Sequence, residues 1–197
     1  MVTFTYAEAE KLLGELYLVP DDRAHRGAFV ARLKHLKRLG VPLGSNIGKG
    51  SRFAYEPDHL YQMCFCLELM ECGIDPAVAV KLLMAQWDKI SAQFRVVEDA
   101  PEKSRFYMCM TPLSLMSKSW AGIAVEPLIK ALRGNEIGEI TQLISFRPSP
   151  NARLTLSGET RRFGDRPRWL MFDITNIVRA VSGLQHSQAP LRNQLLT

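Results

Sequence analysis

Arg23, His25, Arg26, Arg32, Lys34, His35, Lys37 and Arg38 all fall in one helix-like stretch, "DRAHRGAFVARLKHLKRLG". Lys49 and Arg52 follow in "GKGSRFAY". Lysine and arginine at such density neutralise phosphates and release counterions. Presented from a helix in a major groove, they also read base edges. A solvated helix face ordinarily mixes the two signs of charge, yet no acidic residue occurs from Arg23 to Arg52. The one-signed run therefore favours a polyanion partner over plain solvation. The whole-chain balance, a net charge of +5 and a pI near 9.1, admits such a partner without demanding one.

Other chemistries find less support. The 4 cysteines, Cys64, Cys66, Cys72 and Cys109, contain no CxxC pair. Cys64 and Cys66 are two apart in a helical pattern, so they point roughly 200° apart around the axis and do not clamp one metal ion. They read as free thiols of a reducing compartment. His25, His35, His59 and His186 show no metal-ligand spacing. "GKGS" lacks the rest of a phosphate-binding loop motif. With no Ser-His-Asp set, paired carboxylates or metal motif, no catalytic residue, metal or cofactor is assigned, and the chain reads as a non-enzyme. Trp120, Trp169, Phe106, Tyr107, Phe146 and Phe172 read as core aromatics before an effector pocket. Arg147, Arg153, Arg161, Arg162, Arg166 and Arg168 read as a solvated rim before a second polyanion surface.

Around the basic stretch the elements are legible. "TFTYAEAEKLLGELYL" reads as a first helix capped by Thr3 or Thr5, with apolar Phe4, Leu12, Leu13 and Leu16. Asp21 or Asp22 opens the basic helix, whose Phe29, Leu33, Leu36 and Gly40 share one face, and Gly40 and Pro42 stop it. A Gly-rich loop follows, with Phe53 and Tyr55 alternating as in a small hairpin. Pro57 starts a third helix with Leu60, Met63, Leu67 and Met70 on one face, ending at Gly73. Asp75 and Pro76 start a fourth. Beyond Phe94 the texture changes: "RFYMCM", "EITQLISF", "ARLTLS" and "RWLMFDI" read as strands, and "EPLIKALRG" and "TNIVRAVSG" as helices, the latter capped by Thr175.

Helix, turn, basic helix, basic loop, helix, helix is the order of a winged helix-turn-helix. The stretches "LKHLKRLGVPL" and "YEPDHLYQMCFCLELMECGIDPAVAVKLL" resemble the MerR family of transcriptional regulators. Tyr55-Glu56-Pro57-Asp58, Leu60, Gly73 and Leu82-Leu83 fit the family pattern. Lys34 stands where the family usually has a phosphate-contacting arginine, and Tyr55 matches the wing tyrosine that commonly touches the backbone. The family's arginine-tyrosine-tyrosine signature is Lys34-His35-Leu36 here, and Phe53 stands at the place of a wing arginine. The resemblance covers roughly Thr3 to Gln86.

The expected fold class is therefore α+β. Residues 1–94 form a mainly helical MerR-like winged helix-turn-helix domain, 95–103 a linker, 104–185 a smaller mixed α+β domain for dimerisation, an effector or a partner, and 186–197 a disordered tail. The expected function is a sequence-specific, double-stranded-DNA-binding transcriptional regulator of bacterial type, a homodimer in the cytoplasm at the nucleoid. DNA contacts are assigned to Arg23, Arg26, Arg32, Lys34, His35 and Arg38 from the helix, those in its N-terminal half nearest the bases. Asn46, Lys49, Arg52 and Tyr55 are assigned from the wing, mainly to phosphates. The alternatives are a protein–protein adaptor, docking through its C-terminal domain, and an architectural, excisionase-like DNA-bending factor. "MVTFTYAEAEKLL" lacks the layout of a signal peptide, and no apolar run reaches the ~20 residues of a membrane span.

Overall fold

Local signals account for the helix starts. The computed structural model describes residues 3–45, 53–101, 104–110, 129–133, 153–156, 159–162 and 170–183. Helix α1, Tyr6–Leu16, begins at a reciprocal cap: the Thr5 N–H donates to Glu8 Oε2 at 2.7 Å and the Glu8 N–H to Thr5 Oγ1 at 3.3 Å. Helix α2, Arg23–Arg38, is capped by Asp22, whose carboxylate accepts the N–H groups of Ala24 and His25. Helix α3, Pro57–Glu71, and helix α4, Pro76–Glu98, each take proline in the first turn, where its missing N–H costs nothing. Asp75 caps α4 through the N–H groups of Ala77 and Val78. A short helix α5, 175–183, follows the last strand.

The helix ends differ in how they are made. Gly40 closes α2 with φ +97°, and the Val41 N–H returns to the Leu36 carbonyl. A Cβ on Gly40 would meet the terminal methyl of Met84 on α4 at 3.1 Å, so this turn is also a packing contact. After α1 the left-handed position is taken by Leu18, φ +49°. A leucine there costs roughly 1 kcal/mol or more that glycine would not, and its side chain is 87% exposed.

Five strands are formed among the described residues. Strands β1 (Phe106–Met110), β2 (Ile129–Arg133) and β5 (Leu170–Asp173) form an antiparallel sheet ordered β2-β1-β5. Strands β3 (Arg153–Leu156) and β4 (Glu159–Arg162) form a separate antiparallel pair with Arg153 opposite Arg162. The chain is thus a mixed α and β protein, predominantly helical among the described residues.

One apolar core joins the helices to the three-stranded sheet. It runs from Leu13, Leu33 and Leu36 through α3 to Phe106, Met108, Phe172, Ile177 and Val181. Helix α3 is central: Leu60 to Leu67 are buried without interruption, where one apolar face was expected. Phe65 meets Phe172 edge-on at 6.1 Å, and Tyr61 stacks on Phe94 at 4.6 Å and 7°. The core crosses the expected boundary near residue 94, and α4 itself runs to Glu98, so 95–98 of the expected linker are helical. Helix α4 departs from helical geometry at Gln86 (φ −132°, ψ 16°), the residue at which the family resemblance ends.

Two local readings are corrected. "EPLIKALRG" was expected to be helical, but Ile129–Arg133 is strand β2, paired with β1 from Met110 to Phe106. Five residues gain more from a full ladder than from a helix too short to stand alone. Thr175 was expected to cap α5. Its hydroxyl instead donates to the Phe106 carbonyl at 3.1 Å and accepts the Phe106 N–H at 2.7 Å, and Asp173 Oδ1 takes the Thr175 N–H at 2.8 Å. Strand β4 was not foreseen. The strand expected in "EITQLISF" and the tail 186–197 lie outside the described residues.

Candidate nucleic-acid interface

Helix α2 is seated by Phe29, Leu33 and Leu36, all buried. Every lysine, arginine and histidine of α2 is exposed. The apolar stripe thus fixes which way the cations face. Lys34 and Arg38 are one turn apart on the same face, and Arg38 Nε donates to the Lys34 carbonyl at 3.5 Å. His35 and Lys37 flank them. Arg23, Arg26, Lys34, Lys37 and Arg38 have no carboxylate within ion-pair distance among the described residues.

The other expected contacts divide. Arg32 is engaged with Glu71 at the end of α3, so a phosphate would have to compete for it. Arg26 lines an open cleft of about 650 Å³ beside α1, among Glu10, Glu15 and Asp21. His25 Nδ1 lies 2.6 Å from Asp22 Oδ2. In the N-terminal half of α2, where base contacts were expected, the small residues Ala24, Gly27, Ala28 and Ala31 are all exposed. The cations concentrate in the C-terminal half, Lys34 to Arg38. Asn46, Lys49 and Arg52 lie outside the described residues.

Tyr55 is placed where a sequence motif does not reveal it. It is 1% exposed, and its backbone pairs with Phe4: the Phe4 N–H donates to the Tyr55 carbonyl at 2.7 Å and the Tyr55 N–H to the Phe4 carbonyl at 2.9 Å. Its ring lies against Phe53 at 4.9 Å and Tyr6 at 6.2 Å, and burial raises its hydroxyl pKa. Tyr55 therefore anchors the arm that returns from the basic loop, and its ring is not laid out on the surface. On the outgoing side the Leu43 N–H donates to buried Gln62 Oε1 at 2.7 Å. On either side of residues 46–52, Leu43 is thus fastened to α3 and Tyr55 to the N-terminal segment.

Sequence reasoning missed two features. One is His59, whose Nδ1 accepts the Glu56 N–H at 2.9 Å and whose ring lies 4.8 Å from Phe53. Its place two residues after Pro57, in the first turn of α3, was the available signal. The other is Leu18, which walls both the 650 Å³ cleft and a second, of about 310 Å³, beside Arg32 and Glu71. Of the expected aromatic group, Phe106 and Phe172 are core, while Trp120, Phe146 and Trp169 lie outside the described residues.

Among the described residues no group of three or more His, Cys, Asp or Glu is placed to hold a metal ion, and no helix is long and apolar enough to cross a membrane. Burial pushes the thiols of Cys66 and Cys109 up, to about 12 and about 11, which makes them poor nucleophiles. No protein-family model, curated protein or solved structure matches the chain.

Proposed function

We propose that the chain is a double-stranded-DNA-binding transcriptional regulator with a MerR-like winged helix-turn-helix, acting as a homodimer. The observation that carries this reading is the outer face of α2. Lys34, His35, Lys37 and Arg38 are presented together on an apolar-seated helix, with no carboxylate on the three cations among the described residues. A helix held this way fits a major groove, and its cations fit the flanking phosphates. The small exposed residues of the N-terminal half permit close approach but offer few hydrogen-bonding groups to base edges. Affinity in this reading comes mainly from the backbone, and specificity from a few contacts around His35 and from the basic loop. A single module of this size buries little surface, so two half-sites supply the affinity.

Selection of genomic fragments by the purified full-length protein at near-physiological salt tests the proposal. Enrichment of a palindrome or direct repeat is expected. Retention without a motif would convert the reading into an architectural DNA-bending factor, and no retention would remove DNA from it.

Leu18 favours a second reading, a protein–protein adaptor. A strained, exposed leucine between two clefts is costly unless something covers it. Competition by unrelated DNA separates the two, because a protein partner bound at Leu18 is not displaced by it.

A further inference from the structure

The arm that returns from the basic loop is attached to α3 through a chain of contacts that ends on one imidazole. Phe4 pairs with Tyr55, Phe53 meets Tyr55 edge-on, His59 lies against Phe53, and His59 Nδ1 accepts the N–H of Glu56, the residue at which the arm becomes the helix. A ring nitrogen accepts a hydrogen bond only when it carries no proton, so this geometry requires the tautomer with the proton on Nε2.

We propose that His59 is a positioning residue whose neutral imidazole fastens the 53–56 arm to the start of α3, and that a proton taken from solvent onto Nδ1 unfastens it. The step needs no other reactant: Nδ1 gains the proton, changes from acceptor to donor, and the Glu56 N–H loses its partner. Burial is the main influence holding the imidazole neutral, and it lowers the His59 pKa from 6.5; Glu56 and Asp58 oppose it. The positive end of the α3 dipole acts in the same direction as burial. Of the neighbouring groups, Asp58 is engaged by Arg95 from α4, and on the arm side Phe53 is apolar while Tyr55 and Tyr6 are phenols. Because the folded-state pKa is depressed, the attachment is complete above 6.5. It weakens as pH falls from 6.5 through the folded-state value.

The consequence for DNA rests on the DNA-binding reading, since the arm is one end of the basic loop. The experiment has a limb that does not depend on it. In the full-length ¹⁵N-labelled protein, the His59 ring nitrogens and the exchange protection of the Glu56 amide are followed from pH 8 to pH 5. Glu56 protection is expected to fall about five-fold as His59 titrates, the worth of one ordinary hydrogen bond. In His59→Asn the side-chain oxygen stands near the place of Nδ1 and does not titrate, so Glu56 protection is expected to stay flat across the same range. A Glu56 protection that ignores the His59 titration in the wild type, or that falls equally in His59→Asn, overturns the proposal. The wild-type titration decides it alone if the variant does not fold.

The second limb measures affinity for a selected DNA fragment against pH in both proteins. The comparison with His59→Asn removes every pH effect that the two proteins share, and the wild type is expected to gain less affinity on acidification, or to lose more, than the variant. Identical profiles would overturn the role of His59 toward DNA. Absence of DNA binding at every pH would overturn the functional reading and leave the Glu56 result standing on its own.

Discussion

Helices α2 and α4 are built alike and differ in what meets their cations. Each is capped by an aspartate and seated by a buried apolar stripe, Phe29, Leu33 and Leu36 in α2, and Val80, Leu83, Ile90 and Phe94 among others in α4. Their arginines part company. Arg95 of α4 is held between Asp58 on α3 and Glu98 one turn ahead, and Glu98 also receives the Tyr61 hydroxyl at 2.7 Å. Lys34, Lys37 and Arg38 of α2 have no such partners among the described residues. Arginine is therefore ion-paired at 95 in α4 and at 32 in α2, while Arg38 of α2 has no carboxylate in reach among the described residues. The deciding factor is whether neighbouring elements bring carboxylates to it.

The comparison breaks most visibly at the seat of α2. Leu36 is fully buried, and Leu36→Ala is expected to cost about 2–5 kcal/mol, read as a lowered denaturant midpoint. If that variant keeps wild-type stability, the stripe does not fix the orientation of the cations. Next comes the free face itself. Lys34→Ala with Arg38→Ala is expected to reduce the slope of log affinity against log salt by about 1.8, roughly 0.9 for each phosphate no longer neutralised. Stability should change by less than about 0.5 kcal/mol per site. An unchanged slope would mean that these cations do not meet phosphates.

Arg95→Ala should behave the opposite way. Its own side chain is about half exposed, so the stability loss is about 0.5–1 kcal/mol after solvent screening, and the salt slope of DNA binding stays as in the wild type. A fall in that slope would erase the distinction between the two helices. The smallest effect is expected at Glu8. Hydrogen bonds from Thr5 hold its carboxyl below the usual 4.5. Its contribution is complete above 4.5 and is lost as pH falls through the folded-state value. Glu8→Gln should flatten that part of the acid limb of the stability curve, measured by denaturant unfolding at successive pH values. An acid limb identical in both proteins would show that the cap carries no proton linkage.

Legibility followed the range of the interaction. The caps Thr5, Asp22 and Asp75, the stop at Gly40 and the buried stripe of α2 all depend on residues within four or five positions, and the sequence pattern located them, the first two as one of a pair (Thr3 or Thr5, Asp21 or Asp22). Arg32 looked like its neighbours in sequence, but its partner Glu71 lies 39 residues away. Tyr55 carried a motif for surface contact and became core because Phe4 pairs with it. Thr175 carried the composition of a cap and was claimed by Phe106, 69 residues earlier. "IKALR" had no decisive period of its own, and its state was set by the strand beside it.

The amino-acid order by itself determined where α1 to α4 begin, where α2 and α3 end, which side of α2 is apolar, and that its other sides carry a single sign of charge, because these are matters of backbone capping and a 3.6-residue period. Only the tertiary structure decided which of those charges are neutralised, which aromatic anchors the loop, and that helices and sheet share one core. Those outcomes depend on which distant groups arrive at hydrogen-bonding distance, and that is fixed by packing of the whole chain around α3.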